Sequence, residues 1–211
     1  MVGYWGYTVY LTYMSLVSAV LGVGFAVVDH NAFAGAVCLL VSGFLDLFDG
    51  KVARTKKNRT DSEKKFGMQI DSLSDLVAFG VLPAAIGFAI GVNHWWQWLI
   101  LALFVLCGLV RLAYFNVLED ERMASGDTGA NPGFIGLPIT TSALIFPVIV
   151  IFAEDFGDWF QLVYLICLSI VGLLFVIKIH IKKPKLPAVI AMVVFGAIVL
   201  TILILRKCGV F

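Results

Sequence analysis

The chain has 211 residues, of which 61% are hydrophobic and only 14% are charged, with a net charge of +1. Soluble domains carry about 25% charged residues, so this composition excludes a water-soluble fold and predicts an integral membrane protein. The near-neutral charge gives no sign of a nucleic-acid partner. The four cysteines and three histidines are scattered singly, which excludes a CxxC motif and a histidine-ligated zinc site.

Seven stretches of the chain are long and apolar enough to cross a bilayer, which requires about 20 residues in a helix. They are 9–28, 31–54, 66–91, 95–118, 133–153, 159–181 and 186–205. The connections are short, and the chain has no internal repeat. The pattern predicts an all-α fold, a polytopic transmembrane helical bundle that forms a single domain over residues 1–211.

The lysines and arginines predict the orientation of this bundle. With the N-terminus in the cytoplasm, 13 of the 15 basic residues lie on the inner side, mainly in the stretches 51–65 and 178–185. Basic residues accumulate on the cytoplasmic side of membrane proteins. We therefore expect a multi-pass protein of the cytoplasmic membrane, with the C-terminus outside because the number of spans is odd.

Two neighbouring spans carry acidic residues where apolar ones are expected. The second span ends with Asp46 and Asp49, three residues apart, and the third begins with Asp71 and Asp75, four residues apart. Each spacing places both carboxylates on one helix face. A charge inside a span costs at least about 2.5 kcal/mol, so these acids indicate a functional site.

The loop between these spans is short and basic, so the two helices are antiparallel neighbours and their acids can converge near the inner surface. Four carboxylates would repel one another unless they are protonated or bind cations. Hard oxygen ligands favour Mg²⁺ or Mn²⁺, and their number suits two ions. Pairing of the acids with Lys51, Lys64 or Lys65, and a proton or ion path, are the alternatives.

The two acidic segments read DLFDGKVAR and, after a spacer, GMQIDSLSD. They resemble the signature of the CDP-alcohol phosphotransferase family, DxxDGxxAR…GxxxDxxxD. All eight signature positions are present: Asp46, Asp49, Gly50, Ala53, Arg54, Gly67, Asp71 and Asp75. The spacer, residues 55–66, is longer than usual in that family. The resemblance implies a six-span core, so the seventh span would be an addition at the C-terminus.

The resemblance also implies a reaction, in which a CDP-linked lipid transfers its phosphatidyl group to an alcohol and releases CMP. Asp46, Asp49 and Asp71 would bind the metal ions, and Asp75 would share metal binding with base catalysis, which makes Asp71 and Asp75 the catalytic pair. The implied CDP-lipid pocket has six members: Gly50, Ala53, Arg54, Gly67 and, near the inner end of the first span, Thr12 and Ser15 at the cytidine.

Further segments resemble the phosphatidylserine synthase branch of that family. They are DSLSDLVAFGVLPA, Arg111–Asn116, Gly136-Leu137-Pro138 and Pro184-Lys185. The implied substrates are CDP-diacylglycerol, or its ether-lipid analogue, and L-serine, and the family is commonly homodimeric. A serine carboxylate removed from water needs a partner, for which Arg111 is our candidate, with Asn116 nearby. A snorkelling role for Arg111 is the alternative.

Two other functions remain open at this point. Glycerol 3-phosphate or an inositol acceptor would use the same chemistry, but their phosphate or many hydroxyls favour a larger basic cluster than the single embedded Arg111 provides. A cation transporter would use the four acids and would leave the DG…AR segment without a role. A serine-using transferase is the prediction that the pattern favours.

Overall fold

The computed structural model describes residues 3–53, 55–56, 58, 60–124, 134–181 and 186–209. Its helices are α1 (Tyr10–Val27), α2 (Ala32–Ala53), α3 (Asp61–Asp75), α4 (Leu82–Ala89), α5 (Trp95–Ala124), α6 (Ser142–Ile151), α7 (Ala153–Phe156), α8 (Phe160–Val176) and α9 (Leu186–Lys207). The predicted all-α class is confirmed. Five helices in the described residues are long and apolar enough to cross a membrane, as expected of a multi-pass membrane protein.

The third span is a single helix of 29 residues, Asp61–Ala89, which begins earlier than the apolar stretch does. A capping box explains this start, because the Thr60 hydroxyl accepts from the Glu63 amide and the Glu63 carboxylate accepts from the Thr60 amide. Between α3 and α4 the helix widens into a π-helical segment, Leu76–Val81. This segment begins directly after Asp75, and such π-turns frequently occur at functional sites.

The fifth predicted span, 133–153, is wrong in its extent. Among its described residues the continuous helix is Ile139–Ile151, a short 3₁₀ turn followed by α6, and a separate short helix, α7, begins at Ala153. Before Ile139, Phe134–Ile135 (β1) pairs antiparallel with His180–Ile181 (β2). Gly136, at φ +80°, and Pro138 separate the strand from the helix. Composition alone did not show this break, since the residues around it are apolar.

The C-terminal helix α9 bears out the predicted seventh apolar stretch. It has 22 residues and packs against α2 and α6, with most of its surface facing outward. Near its end, the Arg206 guanidinium lies 2.8 Å from the Asp155 carboxylate and donates a hydrogen bond of 2.7 Å to the carbonyl of Ile151. These contacts fix one end of α9 to the segment that follows α6.

Small and polar side chains hold the first helices together. Ser15 of α1 and Ser42 of α2 each donate a hydroxyl hydrogen bond to the other's carbonyl, at 3.2 and 3.0 Å. Such paired bonds suit a bilayer, where a helix interface gains little from the hydrophobic effect. Large side chains join α5, α6 and α8, where the ring of Phe146 contacts those of Phe104 and Tyr164.

A close approach of α2 to α6 predicts a specific stability effect. An added Cβ at Gly43 of α2 would lie 2.5 Å from the Cβ of Ala143 in α6. Neither atom can rotate away, so the helices must separate. We expect Gly43→Ala to destabilise the protein by about 1–3 kcal/mol, typical of overpacking. Thermal unfolding of purified protein in detergent measures the effect.

The partner residue provides the control for this prediction. In the double variant Gly43→Ala with Ala143→Gly, the methyl group moves across the interface and the melting temperature should return towards that of the wild type. Gly24→Ala has no heavy atom within 4 Å of the added Cβ and should not lower stability. Equal melting temperatures for Gly43→Ala and Gly24→Ala would contradict the close packing of α2 on α6.

Candidate active site

The last turns of α2 and the middle of α3 bring three carboxylates together. Asp46, Asp49 and Asp71 each offer an oxygen atom, and these atoms lie within 4.8 Å of one another. The two helices are joined by the short segment that ends in the Thr60 capping box, so they run side by side in opposite directions. We refer to Asp46, Asp49 and Asp71 as the acid trio. Three hard oxygen donors at this separation could hold a divalent metal ion.

Asp75 lies one helical turn beyond Asp71, next to the acid trio. The residue is 9% exposed and its carboxyl group lies close to that of Asp46, as the carboxyl group of Asp71 lies close to that of Asp49. Two carboxyl groups in contact need a shared proton or a cation between them. The site therefore contains two carboxyl pairs, each of which joins α2 to α3.

One carboxylate oxygen of the acid trio has an environment that suits a bound cation. Among the described residues, Asp71 Oδ1 is buried and has no hydrogen-bond partner. A buried carboxylate oxygen without a donor is costly, typically about 1–3 kcal/mol, and a bound metal ion would supply the missing interaction. The residues present thus fit a hard divalent cation.

Helix α1 supports the acids from the side. The Thr12 hydroxyl donates a hydrogen bond of 3.0 Å to Asp49 Oδ2, and the Ser74 hydroxyl donates one of 3.2 Å to the Thr12 carbonyl. All three side chains are buried. Thr12 therefore orients an acid of the trio. Ser15, one turn further along α1, bonds to the backbone of α2.

The remaining signature residues surround the acids. Gly50 is exposed, and apart from its chain neighbours and the nearby backbone of α2, no heavy atom of the described residues lies within 4 Å of the position that its Cβ would take. Ala53 and Gly67 are partly buried near the end of α2 and the start of α3. The structure thus leaves open space beside Asp49, where a ligand can approach the backbone. Arg54 lies outside the described residues.

The two predicted acceptor residues face different partners. Asn116 of α5 reaches α3, where it accepts a 2.9 Å hydrogen bond from Ser72 and donates one of 3.5 Å to Gln69. Arg111 turns instead towards the segment before α6, and its Nε donates a hydrogen bond of 3.3 Å to the carbonyl of Leu137. The structure therefore places Asn116 beside the acid-bearing helix, and among the described residues Arg111 makes no hydrogen bond or ion pair with that helix.

Arg111 is held within the protein. It is 6% exposed, and its guanidinium lies 5.8 Å from the centre of the Phe115 ring. Gly136 makes room for it, because a Cβ there would lie 3.3 Å from Arg111 Nε and 2.8 Å from the Phe175 carbonyl. This burial argues against the alternative of an arginine that snorkels to the lipid headgroups.

Sequence reasoning missed the polar residues that support the site. Ser72 and Ser74 lie between the two acids of α3, and their hydroxyls bind Asn116 and the α1 backbone. Their position within DSLSD was a usable signal, since residues flanking the acids of a helix face its neighbours on either side. The contact of Gly136 with Arg111 had no comparable signal, because the two residues are far apart in the chain.

The sequence of the chain was compared with known protein families. The profile of the CDP-alcohol phosphatidyltransferase family matches residues 7–174, from the start of α1 almost to the end of α8. The chain belongs to this family. The acid trio, Asp75 and both acceptor candidates of this CDP-alcohol phosphatidyltransferase lie within the matched residues, whereas α9 lies beyond them.

Individual relatives carry names that specify an acceptor. The CDP-diacylglycerol–serine O-phosphatidyltransferase of Saccharomyces cerevisiae is 47% identical over 108 residues, 51% of this chain and 38% of the yeast protein. The enzyme of the same name from Mycobacterium bovis is 27% identical over 195 residues, 92% of this chain and 66% of its own. Archaetidylserine synthase of Methanothermobacter thermautotrophicus is 38% identical over 118 residues, 56% of this chain and 46% of its own.

This chain thus covers less than two thirds of the length of each of these relatives. The matched parts nevertheless belong to two proteins named as serine O-phosphatidyltransferases and to one named as an archaetidylserine synthase.

Proposed function

We propose that this CDP-alcohol phosphatidyltransferase transfers the phosphatidyl group of CDP-diacylglycerol, or of an ether-lipid analogue, to the hydroxyl of L-serine. The products are phosphatidylserine, or its ether analogue, and CMP. The observation that carries the proposal is the convergence of the acid trio on one hairpin of a family member whose relatives are named for serine. A cation transporter has no comparable support.

Asp46, Asp49 and Asp71 are the proposed metal ligands, with Asp75 shared between metal binding and catalysis. Mg²⁺ and Mn²⁺ both suit this donor set, and the four carboxylates suit two ions. When bound, the metal ions neutralise charge on the pyrophosphate and on the departing CMP. Thr12 holds Asp49 in place through its hydroxyl hydrogen bond.

In the proposed reaction Asp75 acts as the general base. Its carboxylate takes the proton of the serine hydroxyl, and the serine oxygen forms a bond to the phosphorus that carries the diacylglycerol. The bond from that phosphorus to the bridging oxygen of CMP breaks, and CMP leaves with the electron pair. Asp75 is buried one helical turn beyond Asp71, the proposed metal ligand on α3.

Six residues are proposed to line the CDP-lipid pocket: Gly50, Ala53, Arg54, Gly67, Thr12 and Ser15. The open space at Gly50 supports close approach of a phosphate to the end of α2. Thr12 is the better placed of the two α1 residues, since it touches Asp49. Ser15 packs against α2, which favours a role in fixing the helices.

We further propose that residues 1–211 act as one domain, that the site faces the cytoplasm, and that the protein forms a homodimer. The distribution of basic residues supports the orientation. On the same side as the acids, Lys51, Lys56, Lys64 and Lys65 project from the end of α2, the loop and the start of α3. This basic surface suits a site that receives water-soluble serine and releases anionic CMP.

An acceptor panel tests the proposed function. Purified protein is incubated with CDP-diacylglycerol and Mn²⁺ or Mg²⁺, and serine, glycerol 3-phosphate or inositol is supplied in turn. We expect CMP release and a new lipid with serine alone. Turnover with another acceptor would keep the family reaction and reject serine. No turnover with any acceptor, in protein shown to be folded, would reject the proposed catalysis.

The acceptor proposal makes a prediction for Arg111. If its guanidinium holds the serine carboxylate, Arg111→Ala removes a charge-assisted pair worth about 1.5–3 kcal/mol, and the KM for serine should rise about 10–100-fold. The KM for CDP-diacylglycerol should change little. Initial rates of CMP release over a serine series measure both constants.

Arg122→Ala is the matched control. This arginine lies near the end of α5, three turns beyond Arg111, and pairs with Glu119 at 2.6 Å. Its replacement should leave the KM for serine unchanged. An Arg111→Ala enzyme with wild-type KM for serine would reject Arg111 as the carboxylate partner.

A further inference from the structure

The Arg111 guanidinium is buried with most of its donors unused. Its Nε–H donates a hydrogen bond of 3.3 Å to the Leu137 carbonyl, and the group lies 5.8 Å from the centre of the Phe115 ring. Its two terminal nitrogens have no hydrogen-bond partner among the described residues. A guanidinium offers five N–H donors, and a charge removed from water needs partners for them. The terminal nitrogens are therefore the part of Arg111 that can bind a ligand.

The carbonyl that accepts this hydrogen bond belongs to a backbone segment that is fixed from its other side. We refer to residues 134–137, which include β1, as the connector. The Leu137 amide donates a hydrogen bond of 3.1 Å to the Leu174 carbonyl, and the Gly136 amide donates one of 2.7 Å to the Ile179 carbonyl. The pairing of β1 with β2 continues these bonds. Carbonyls in the last turn of a helix lack partners within it, so the end of α8 can hold the connector in place.

Gly136 lies where the connector, the end of α8 and Arg111 meet. Its φ of +80° is in the region that favours glycine. A Cβ at this position would lie 2.8 Å from the Phe175 carbonyl oxygen, and 3.3 Å from both Arg111 Nε and the Ile177 carbonyl oxygen. The two carbonyls belong to the backbone, so they cannot rotate away as the end of a side chain can. A side chain at residue 136 would therefore displace the connector or the guanidinium.

We propose that Gly136 is a positioning residue, and that the connector orients Arg111 so that its terminal nitrogens meet the carboxylate of the acceptor. The inference rests on the proposed function, in which Arg111 binds serine, and adds what holds the guanidinium in its orientation. An arginine side chain has several rotatable bonds, and a hydrogen bond from Nε to a fixed carbonyl selects one orientation of the planar group. Such preorganisation raises affinity, because the ligand need not order the group that binds it. The end of α8 thereby acts on acceptor binding through the connector.

The substitution Gly136→Ala tests the proposal by moving the guanidinium without removing it. We expect the KM for serine to rise about tenfold, the scale of one hydrogen bond to a charged group. The KM for CDP-diacylglycerol should stay near the wild-type value, because the connector does not contact the acid trio in the proposed mechanism. Initial rates of CMP release over a serine series and a donor series measure both constants. A wild-type KM for serine in folded Gly136→Ala would overturn the proposal.

Gly157→Ala is the matched control. It also places a Cβ on a glycine with positive φ, +48°, but no heavy atom of the described residues other than its chain neighbours lies within 4 Å of that Cβ. It therefore reproduces the backbone strain of Gly136→Ala without the contact to Arg111. Gly157→Ala should keep the wild-type KM for serine, and an equal rise in both variants would overturn the role of the contact. Melting temperatures in detergent show whether each variant is folded.

A double-mutant cycle separates positioning from a general loss of structure. Arg111→Ala leaves no guanidinium to position, so the addition of Gly136→Ala should raise the KM for serine no further. Independent damage to the structure would multiply the two increases, and that result would overturn the positioning role. The wild type in the same assay tests the proposed function. A wild type that does not use serine rejects the proposed function and the inference together, whereas serine turnover with multiplied increases rejects the inference alone.

Arg111→Lys provides a second test that does not depend on the folding of Gly136→Ala. Lysine keeps the positive charge, but it has no second nitrogen that could bond to the Leu137 carbonyl while the ammonium binds a ligand. We expect the KM for serine to rise about tenfold, as in Gly136→Ala. Arg122→Lys, at the arginine that pairs with Glu119, is the control and should keep the wild-type KM. A wild-type KM for serine in Arg111→Lys would show that charge alone is sufficient and would overturn the proposal.

Discussion

Replacement of Asp75 by asparagine is expected to lower kcat by about 10³-fold, within the range of about 10²–10⁴ that general base catalysis contributes. The amide keeps the size of the side chain but cannot take the proton of the attacking hydroxyl. Mn²⁺ affinity should fall far less than kcat, because the acid trio that brings its oxygens within 4.8 Å of one another does not include Asp75. Steady-state CMP release gives kcat, and electron paramagnetic resonance titration gives Mn²⁺ affinity.

The thermal stability of the same variant shows whether it is folded. In the metal-free protein, Asp75→Asn removes one of four mutually repelling carboxylates, so the melting temperature should be equal to or above that of the wild type. Asp120→Asn, at an exposed position on α5, is the matched control and should retain full activity. If Asp75→Asn lost Mn²⁺ affinity and kcat to the same extent, the main role of Asp75 would be metal binding, and its assignment as the general base would be rejected.

Replacement of Asp71 by asparagine is expected to abolish metal binding and to lower the rate of turnover sharply. Asp71 is the member of the trio on α3, and its Oδ1 is buried without a partner among the described residues. Loss of this ligand should reduce the rate by about 10³-fold, the scale of an electrostatic contribution to phosphoryl chemistry. CMP release and Mn²⁺ titration measure the two losses.

Metal-dependent stability provides a readout for Asp71 that does not depend on turnover. At a Mn²⁺ concentration about 100 times its Kd, the wild-type protein should gain about 2.7 kcal/mol of stability, and chelation should remove the gain. In Asp71→Asn the melting temperature should not respond to Mn²⁺ or to chelation. A wild-type protein whose melting temperature and activity ignore chelation would contradict a metal site at the trio.

Much of the site could be predicted from the sequence because its geometry is local. Asp46 with Asp49 and Asp71 with Asp75 share helix faces through their spacing alone, and a short loop makes the two helices neighbours. The membrane class followed from composition, since too few polar residues exist to cover a soluble surface. The extents of the helices were harder to predict. The Thr60 cap lengthened the third span, and the Gly136–Pro138 turn shortened the fifth.

The sequence by itself therefore determined the membrane class, the all-helical architecture and the identity of the acids, because these depend on composition and on spacing within single helices. The tertiary structure alone decided which acids group as a trio, where Arg111 lies and what holds the connector in place. Those features join residues of α2, α3, α5 and α8 that are far apart in the chain. They depend on how closely particular helices approach one another. The close contact of Gly43 with Ala143 is one example, and no local sequence pattern shows it.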